Sequence, residues 1–213
     1  MNTIPSKEQM RASLYERHGR ELQDRFFKSV VAVCGLGGLG SNIAVALARA
    51  GVGTLILIDF DKVDISNLNR QQYKADQIGQ YKTDALRENI LEISPYTTLI
   101  THTVKISDEN ITDLLCDADI ICEAFDMACE KSMLVNNVLE KLPGKDIVSA
   151  SGMAGLGSPN TIRTRRIAKH FYLSGDGVSD VEDSIGLLSS RVMLCAAHQA
   201  HTVLQIIAGS VEL

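Results

Sequence analysis

One segment, residues 30–61, constrains the fold more than any other part of the 213-residue sequence. It opens with a short apolar, β-branched run at 30–34, which is typical of a strand buried on both faces. A glycine-rich turn at 35–40 follows directly, and apolar residues then recur at helical spacing. A second apolar run at 54–58 ends on Asp59. The order strand, glycine turn, helix, strand, acid is that of a dinucleotide-binding unit.

The glycines have separate structural tasks in such a unit. Gly35 permits the tight turn, Gly37 lets backbone N–H groups approach a phosphate, and Gly40 lets the helix pack on the strand. Gly38 belongs to the same turn, and Asp59 is placed for a ribose hydroxyl. We therefore predict nucleotide binding by all five residues. A turn that is rich in glycine only for close packing is the alternative interpretation.

The glycine spacing also begins like a P-loop, but the pattern fails at its most important position. Ser41 stands where a P-loop carries its lysine. A triphosphate bound at this turn would therefore need cations from elsewhere in the chain.

Composition limits the class of protein. Apolar content of 45% and charged content of 22% are ordinary for a globular protein, and the length favours one domain over 1–213, with 1–28 as an N-terminal helical segment. The net charge of −5 makes nucleic acid an unlikely partner. No apolar stretch reaches the ~18 residues of a membrane span, and the start of the chain lacks a signal-peptide pattern. Five cysteines, mostly in apolar elements, fit a reduced cytoplasmic setting.

The polar residues after the second strand are the next candidates. Residues 59–71 lack periodicity and follow the carboxyl end of a strand, which is the side where ligands bind in open α/β sheets. Asp61, Asn67, Arg70 and Gln71 could face the same crevice as the glycine turn, although a solvated surface loop is the alternative.

The remaining elements follow from periodicity and turn signals. Lys82 lies in the first turn of a helix, where its charge opposes the helix dipole, so an anionic partner is expected. Asp126 follows a strand on the ligand side, with an N-cap role as the alternative. A polar, acidic loop is predicted at 169–184. The predicted helices are 5–28 (one or two), 79–93, 108–115, 130–142 and a buried 185–208, and the further strands are 97–101, 119–122, 146–150 and 161–167.

Several of these motifs together resemble the ThiF/MoeB/HesA family, bacterial relatives of the ubiquitin-activating enzymes. The resemblance covers about residues 14–167. It implies a Rossmann-like three-layer α/β fold, with a largely parallel sheet extended by antiparallel strands and with N-terminal helices. The motifs are Arg20, GLGGLGS at 35–41, IDFDKVDISNLNRQ at 58–71, GQYK at 79–82 and Asp126.

The resemblance also implies an activity. Members adenylate the C-terminal glycine of a small ubiquitin-like sulfur-carrier protein ending in Gly-Gly, with ATP and Mg²⁺, and this compact chain looks like the short ThiF-like proteins of thiamine biosynthesis. By resemblance, Asp59 holds the ribose, Asp126 is linked to magnesium, and Arg20 enters the neighbouring subunit's site in a homodimer. The residues matching the phosphate-contacting set are Asn67, Arg70, Gln71 and Lys82.

The sequence departs from the family in its cysteines. Many members carry two Cys-x-x-Cys pairs for zinc, and this chain has none, so no structural zinc is expected. Residues 155–184 contain no cysteine for covalent sulfur chemistry, and Cys129 and Cys195 fit helical patterns, where a structural role is expected. Likewise His198 and His201 on the last helix have no apparent third ligand for a metal.

Three other functions stay open at this point. A nicotinamide-dependent oxidoreductase would share the glycine turn and Asp59, but it has no use for Arg70 and Lys82, and no Tyr-x-x-x-Lys pair occurs in the chain. A non-catalytic scaffold subunit of an activating complex should have lost these charged residues. A related adenylating enzyme could act on another carboxylate, such as that of a modified tRNA base or a peptide.

Overall fold

The computed structural model describes residues 4–182 and 185–212, which form one seven-stranded sheet with helices on both faces. The strands are β1 Val30–Cys34, β2 Thr54–Ile58, β3 Thr98–His102, β4 Ile120–Glu123, β5 Asp146–Ala150, β6 Arg163–Ala168 and β7 Phe171–Gly175. The helices are α1 Lys7–His18, α2 Arg20–Lys28, α3 Gly38–Ala50, α4 Lys82–Ile93, α5 Ile111–Leu115, α6 Ala128–Lys141 and α7 Ser189–Ala208.

The strand order is β3-β2-β1-β4-β5-β7-β6. All neighbouring strands in this sheet pair in parallel except β6, which runs antiparallel to β7 at one edge. From β1 the chain builds the sheet outward through β2 and β3, and β4 then returns to the other side of β1. The carboxyl ends of β1 and β4 therefore mark the topological switch point, where open α/β sheets bind their ligands.

Alternate residues of the central strands enter two separate cores, which accounts for their uninterrupted apolar sequence. Val31 and Val33 of β1 face a core shared with α3, α4 and α7. Ala32 and Cys34 of the same strand face a core shared with α5 and α6. This arrangement confirms the predicted three-layer α/β fold with a largely parallel sheet.

The N-terminal helices lie at the end of the sheet opposite the switch point. Gln23 of α2 is buried and donates to the carbonyl oxygens of Ala50 and Gly51, at 3.2 and 3.4 Å, where α3 ends. Arg25 donates to the carbonyl oxygen of Ala208, where α7 ends. Helix α2 thus covers the C-terminal ends of two core helices, whereas α1 buries no residue.

Several predicted elements need correction. The polar, acidic loop predicted at 169–184 is wrong for its first part, because β7 occupies Phe171–Gly175 and pairs with strands on both sides. The apolar run of β7 is short, and the polar, acidic residues that follow it gave the whole segment the character of a loop. Helix α7 begins at Ser189, with Leu188 at the N-cap position, and not at 185 as predicted. This helix was predicted to be buried, and its buried residues include the polar Arg191 and Gln199.

No helix within the described ranges has both the length and the apolar character required to cross a membrane.

Candidate functional site

A crevice of about 440 Å³ opens at the switch point between β1 and β4. One side of it carries the glycine turn, the loop after β2 and the start of α4. The other side carries the turn after β4, the segment after β5 and part of the chain between β7 and α7. The structure brings together at this crevice the following predicted residues: Gly35, Gly37, Gly38, Asp59, Asp61, Asn67, Arg70, Gln71, Lys82 and Asp126.

The glycine turn combines close packing with open space. A Cβ atom on Gly40 would lie 1.8 Å from the carbonyl oxygen of Gly35, so this position serves the packing of α3 against the turn. Gly35 itself has φ +87°, a conformation that favours glycine. A Cβ on Gly37 would meet nothing closer than the side-chain nitrogen of Gln71, at 3.8 Å. Close packing therefore explains Gly40 but leaves Gly37 facing unfilled space in the crevice.

Asp59 fastens the glycine turn to the loop after β2. Its carboxylate accepts hydrogen bonds from the backbone N–H groups of Leu36, at 2.6 Å, and Asp61, at 2.8 Å. Burial raises the pKa of Asp59, while Lys82 and the two N–H donors oppose that rise. The predicted acid is thus at the crevice, and it also organises the two segments beside it.

Lys82 has the anionic partner that its position in the helix predicted. Its Nζ atom lies 2.7 Å from Oδ2 of Asp61. The Lys82 side chain is only 7% exposed, while that of Asp61 is 49% exposed. The pair therefore presents a buried cation and a solvated acid at the same wall of the crevice.

The loop after β2 leaves hydrogen-bonding groups unused at the crevice. Arg70 donates through Nη1 to the carbonyl oxygen of Ser66 and to Asn69, at 3.1 and 2.8 Å. Its Nε atom is buried without a hydrogen-bond partner, and so is Oε1 of Gln71. Unpaired buried polar atoms are costly, and a third one, Oε1 of Gln199, lies in the core away from the crevice, so what sets Arg70 and Gln71 apart is their position beside the crevice.

Two predicted catalytic residues have quite different positions. Asp126 is exposed in the crevice, and its carboxylate makes no hydrogen bond or ion pair with any residue that the structure describes. It does not cap α6, because Met127 occupies the N-cap position. Arg20 lies outside this crevice, stacked 4.8 Å above the ring of Tyr15 near the far end of α3. Since α3 has 13 residues, Arg20 is roughly 20 Å from its own crevice.

A buried charged cluster lies beside Asp126, and none of its residues was predicted from the sequence. Glu123 ends β4 and is fully buried, and both of its carboxylate oxygens contact Nζ of Lys131, at 3.0 and 3.1 Å. Its carboxylate also accepts hydrogen bonds from the Ser149 hydroxyl and from the backbone N–H of Phe125. A glutamate at the end of an apolar strand was the available signal. Its partners lie on separate elements, so the sequence could not identify them.

Arg191 of α7 holds the other side of the crevice together, and it too was missed. Its guanidinium has five N–H donors, and the structure supplies five acceptors at 2.5 to 3.2 Å. These acceptors are the carbonyl oxygens of Ala154, Gly157 and Ser158, the Thr161 hydroxyl and the Asp176 carboxylate.

Asp176 is the charged partner in this network. Burial would raise its pKa, but N–H groups of Ser179 and Val178, the Ser179 hydroxyl and Arg191 together lower the pKa to about 2. The signal in the sequence was a single arginine within an apolar helix.

The cysteines divide into two groups. Cys34, Cys122 and Cys195 are buried, and burial raises the pKa of each of these thiols, to about 12 for Cys122 and Cys195. Cys116 and Cys129 are exposed, so burial supports the structural role expected for Cys195 but not the one expected for Cys129. Cys129 lies in the first turn of α6.

The donor groups at the crevice suit a nucleotide with its metal. Arg70, Lys82 and Gln71 offer cations and polar atoms to phosphates, and Gly37 leaves room for them. No group of three or more metal-ligating side chains occurs in residues 4–182 and 185–212. Asp126 would therefore contribute one carboxylate to a Mg²⁺ ion whose other ligands are phosphate oxygens and water, which is the usual arrangement for this ion.

Comparison with known proteins gives consistent matches. The ThiF family model matches residues 8–213. The chain is 30% identical over 219 residues to the adenylyltransferase and sulfurtransferase UBA4 of Candida glabrata, covering 95% of this chain and 50% of the relative. It is 34% identical over 154 residues to the tRNA threonylcarbamoyladenosine dehydratase of Bacillus subtilis, covering 71% of this chain and 59% of that protein. The chain thus spans about half the length of these curated relatives.

Solved structures share the fold across nearly the whole chain. The E. coli tRNA N6-threonylcarbamoyladenosine dehydratase TcdA, solved in complex with ATP, superposes with a TM-score of 0.86 at 20% identity. The match covers 97% of this chain and 98% of the TcdA chain. Given the sheet order, the crevice at its switch point and the family match over residues 8–213, the chain belongs to the ThiF family.

Proposed function

We propose that this chain is an ATP-dependent adenylyltransferase that activates a carboxylate and releases pyrophosphate. The observation that carries the proposal is the set of cations and unpaired polar atoms around an open glycine turn, namely Arg70, Lys82 and Gln71. A nicotinamide oxidoreductase would not need this set. A scaffold subunit would not need it either. The names of the relatives, which include adenylyltransferases and an ATP complex, agree with this proposal.

The chain's residues account for the chemistry as follows. An oxygen of the substrate carboxylate attacks the α-phosphorus of ATP, and the bond from that phosphorus to the bridging oxygen breaks, leaving its electron pair on pyrophosphate. Both reactants are anionic, so cations must lower their repulsion and stabilise the departing charge. Lys82 and Arg70 supply positive charge, and Asn67 and Gln71 supply polar contacts. No general base is needed, because a carboxylic acid is already ionised at neutral pH.

Magnesium would be held through Asp126. When bound, the ion neutralises phosphate charge and orients the phosphates. Asp59 accepts from two backbone N–H groups and lines the crevice, where it could also accept from a ribose hydroxyl. A carboxylate at this point disfavours a ribose 2′-phosphate, so ATP is preferred over NADP.

A polypeptide substrate is favoured by the rim of the crevice. Val181, which lines the crevice, is 52% exposed, and three more exposed aliphatic side chains lie one or two residues from lining positions: Leu156 (79%), Val178 (86%) and Ile185 (67%). Hydrogen bonds from Gly155 to Gly186 and from Ala154 to Ser179 draw their loops together. Exposed Asp180 and Glu182 add negative charge. An apolar, acidic rim suits a protein surface better than a nucleic acid backbone.

We therefore propose that the substrate is the C-terminal glycine carboxylate of a small ubiquitin-like sulfur carrier ending in Gly-Gly. The sulfurtransferase part of the UBA4 name agrees with a carrier of this kind. Thiamine biosynthesis stays a prediction for the pathway, and neither of the named relatives points to it. A cytoplasmic location and a single adenylating domain over 1–213 also remain part of the proposal.

A second substrate is favoured by one specific observation. The edge strand β6 exposes Arg163, Arg165 and Arg166, and Lys169 follows it. This basic strip runs along the edge of the sheet from Arg163, which pairs with Gly175 at the crevice end of β7, to Lys169 at the opposite end. Such a strip suits a phosphate backbone. Together with the names of the dehydratase relatives, it keeps a carboxylate on a modified tRNA base as the second candidate.

The deciding experiment is exchange of labelled pyrophosphate into ATP. The purified chain is tested with Gly-Gly-ending carriers of the same organism, with each carrier lacking its last glycine as a matched control, and with tRNA bearing a carboxylate-modified adenosine. We expect exchange only with an intact carrier. If only the tRNA supports exchange, the modified tRNA base and not the carrier protein is the substrate. If neither supports exchange, the adenylation proposal is overturned.

We further propose that the active unit is a homodimer in which Arg20 reaches the partner's crevice. Arg20 lies roughly 20 Å from the crevice of its own chain and is exposed. A site without a P-loop lysine gains from one more cation. The family resemblance assigns that cation to the neighbouring subunit.

A further inference from the structure

The position of Asp126 depends on its backbone rather than on its own side chain. The Asp126 carboxylate has no hydrogen bond or ion pair with any residue in the described ranges. It stands in a four-residue connection between β4 and α6. Whatever fixes this connection therefore fixes where the carboxylate meets its ligand.

Glu123 is the side chain that fastens this connection. Its carboxylate accepts a hydrogen bond from the backbone N–H of Phe125, at 2.7 Å, one residue before Asp126. The backbone carbonyl oxygen of Glu123 accepts a second hydrogen bond, from Nε2 of Gln199, at 3.0 Å. Glu123 thus ties the Asp126 turn both to its own strand and to α7.

The rest of the cluster keeps the Glu123 carboxylate in one orientation. Lys131, one turn into α6, contacts both oxygens, and the Ser149 hydroxyl of β5 donates to one of them. Glu123 is completely buried, and the Lys131 side chain is 20% exposed at the crevice. A buried carboxylate with this many partners has little freedom, so the N–H of Phe125 has a fixed acceptor.

We propose that Glu123, held by Lys131 and Ser149, is a positioning residue that sets Asp126 for the magnesium of bound MgATP. The inference rests on the proposed function, because it assigns Asp126 to nucleotide-bound magnesium. Residues that orient a metal ligand from behind commonly change metal affinity by about 10- to 100-fold when they are replaced. The expected signature is therefore a loss confined to the magnesium-dependent part of nucleotide binding.

The test is calorimetric titration of the whole chain with ATP, once with excess Mg²⁺ and once with a chelator. In the wild type, magnesium should tighten ATP binding, and Asp126→Asn should remove that gain. Glu123→Gln should reduce the gain by about tenfold and leave binding of metal-free ATP within about twofold. Glu92→Gln is the matched control. It breaks an exposed ion pair away from the crevice, in which Oε2 of Glu92 on α4 lies 2.6 Å from Nζ of Lys74. This control should change neither value.

The double variant of Glu123 and Asp126 distinguishes a positioning role of Glu123 from a purely structural one. If Glu123 acts through Asp126, Glu123→Gln added to Asp126→Asn should cause no further loss. Ser149→Ala removes a single hydrogen bond and should reduce the gain in the same direction, and it serves as the readout if Glu123→Gln fails to fold. Additive losses, or an unchanged magnesium gain in both Glu123→Gln and Ser149→Ala, would overturn the positioning role. A wild-type chain that binds no MgATP would instead overturn the proposed function, and this inference with it.

Discussion

The two sides of the crevice are built in different ways. On the side proposed to bind the phosphates, called the phosphate side and comprising the glycine turn, residues 59–71 and Lys82, the contacts join nearby parts of the chain. Examples are the bonds from Leu36 to Asp59 and from Lys82 to Asp61. On the opposite side, called the acyl side and comprising residues 150–154 and 176–181, the contacts come from the distant helix α7. The phosphate side leaves Arg70 Nε and Gln71 Oε1 unpaired, while Arg191 on the acyl side uses all five donors.

This difference separates ligand binding from stability. Groups that make no contact within the protein do not hold the fold together, so their removal costs the fold little. A saturated buried cation is committed to the fold, and its removal leaves several acceptors unpaired. Substitutions on the two sides should therefore produce opposite phenotypes.

The largest effect is expected from Arg191→Met, which breaks the acyl side. Loss of one partner of a buried, hydrogen-bonded ion pair typically costs about 3–5 kcal/mol, so the free energy of unfolding should fall by that amount. Chemical denaturation measures it, with the exposed Arg87→Met on α4 as the control. A change below about 1 kcal/mol would mean that the Arg191 network does not hold this side together.

On the phosphate side, Arg70→Ala and Lys82→Ala should each slow pyrophosphate exchange at least ~100-fold, which corresponds to about 2.7 kcal/mol, because a charge-stabilising group is lost. Thermal unfolding should stay close to wild type, since Lys82 leaves behind an exposed Asp61 and Arg70 is only partly committed to protein contacts. Near-normal exchange by both variants would refute the assignment of the phosphate side.

The pH dependence of the free energy of unfolding should also reveal the ion pair on the acyl side. Asp176 has a pKa lowered to about 2, so its charged form stabilises the native state above the ordinary carboxyl pKa near 4, and this stability disappears as pH falls from about 4 to 2. Wild type should lose about 2 kcal/mol over that window from this residue, and Asp176→Asn should lose correspondingly less. Equal slopes of unfolding free energy against pH for the two proteins would contradict the network.

The smallest expected difference is about fourfold, between the wild type and a mixture of two inactive variants that complement each other at the phosphate side. Arg20→Ala and Lys82→Ala proteins should each be nearly inactive, yet a mixture that exchanges subunits should approach a quarter of the wild-type exchange rate. Random pairing makes about half the dimers mixed, and each mixed dimer has one intact site of two. A fully active monomer, or a mixture that stays inactive after proven subunit exchange, would exclude a shared site.

The same contrast explains what the sequence could predict. Strands β1 and β2 and helix α3 lie in one continuous segment with strong periodicity, and the polar residues at 59–71 follow it directly, so both were predicted from one stretch of sequence. Glu123, Arg191 and Asp176 act through contacts between distant elements, which no local pattern encodes. Strand β7 was missed for a related reason, since its five residues depend on pairing with β5 and β6.

The place of β4 beside β1 also has a consequence for how the chain acquires its fold. The first three strands and their helices form one continuous half of the sheet, but β1 keeps an open edge until β4 arrives from much later in the chain. Contacts this distant form slowly, and an uncovered apolar strand edge invites association with other chains. During synthesis the glycine turn therefore emerges long before β4 completes the crevice beside it.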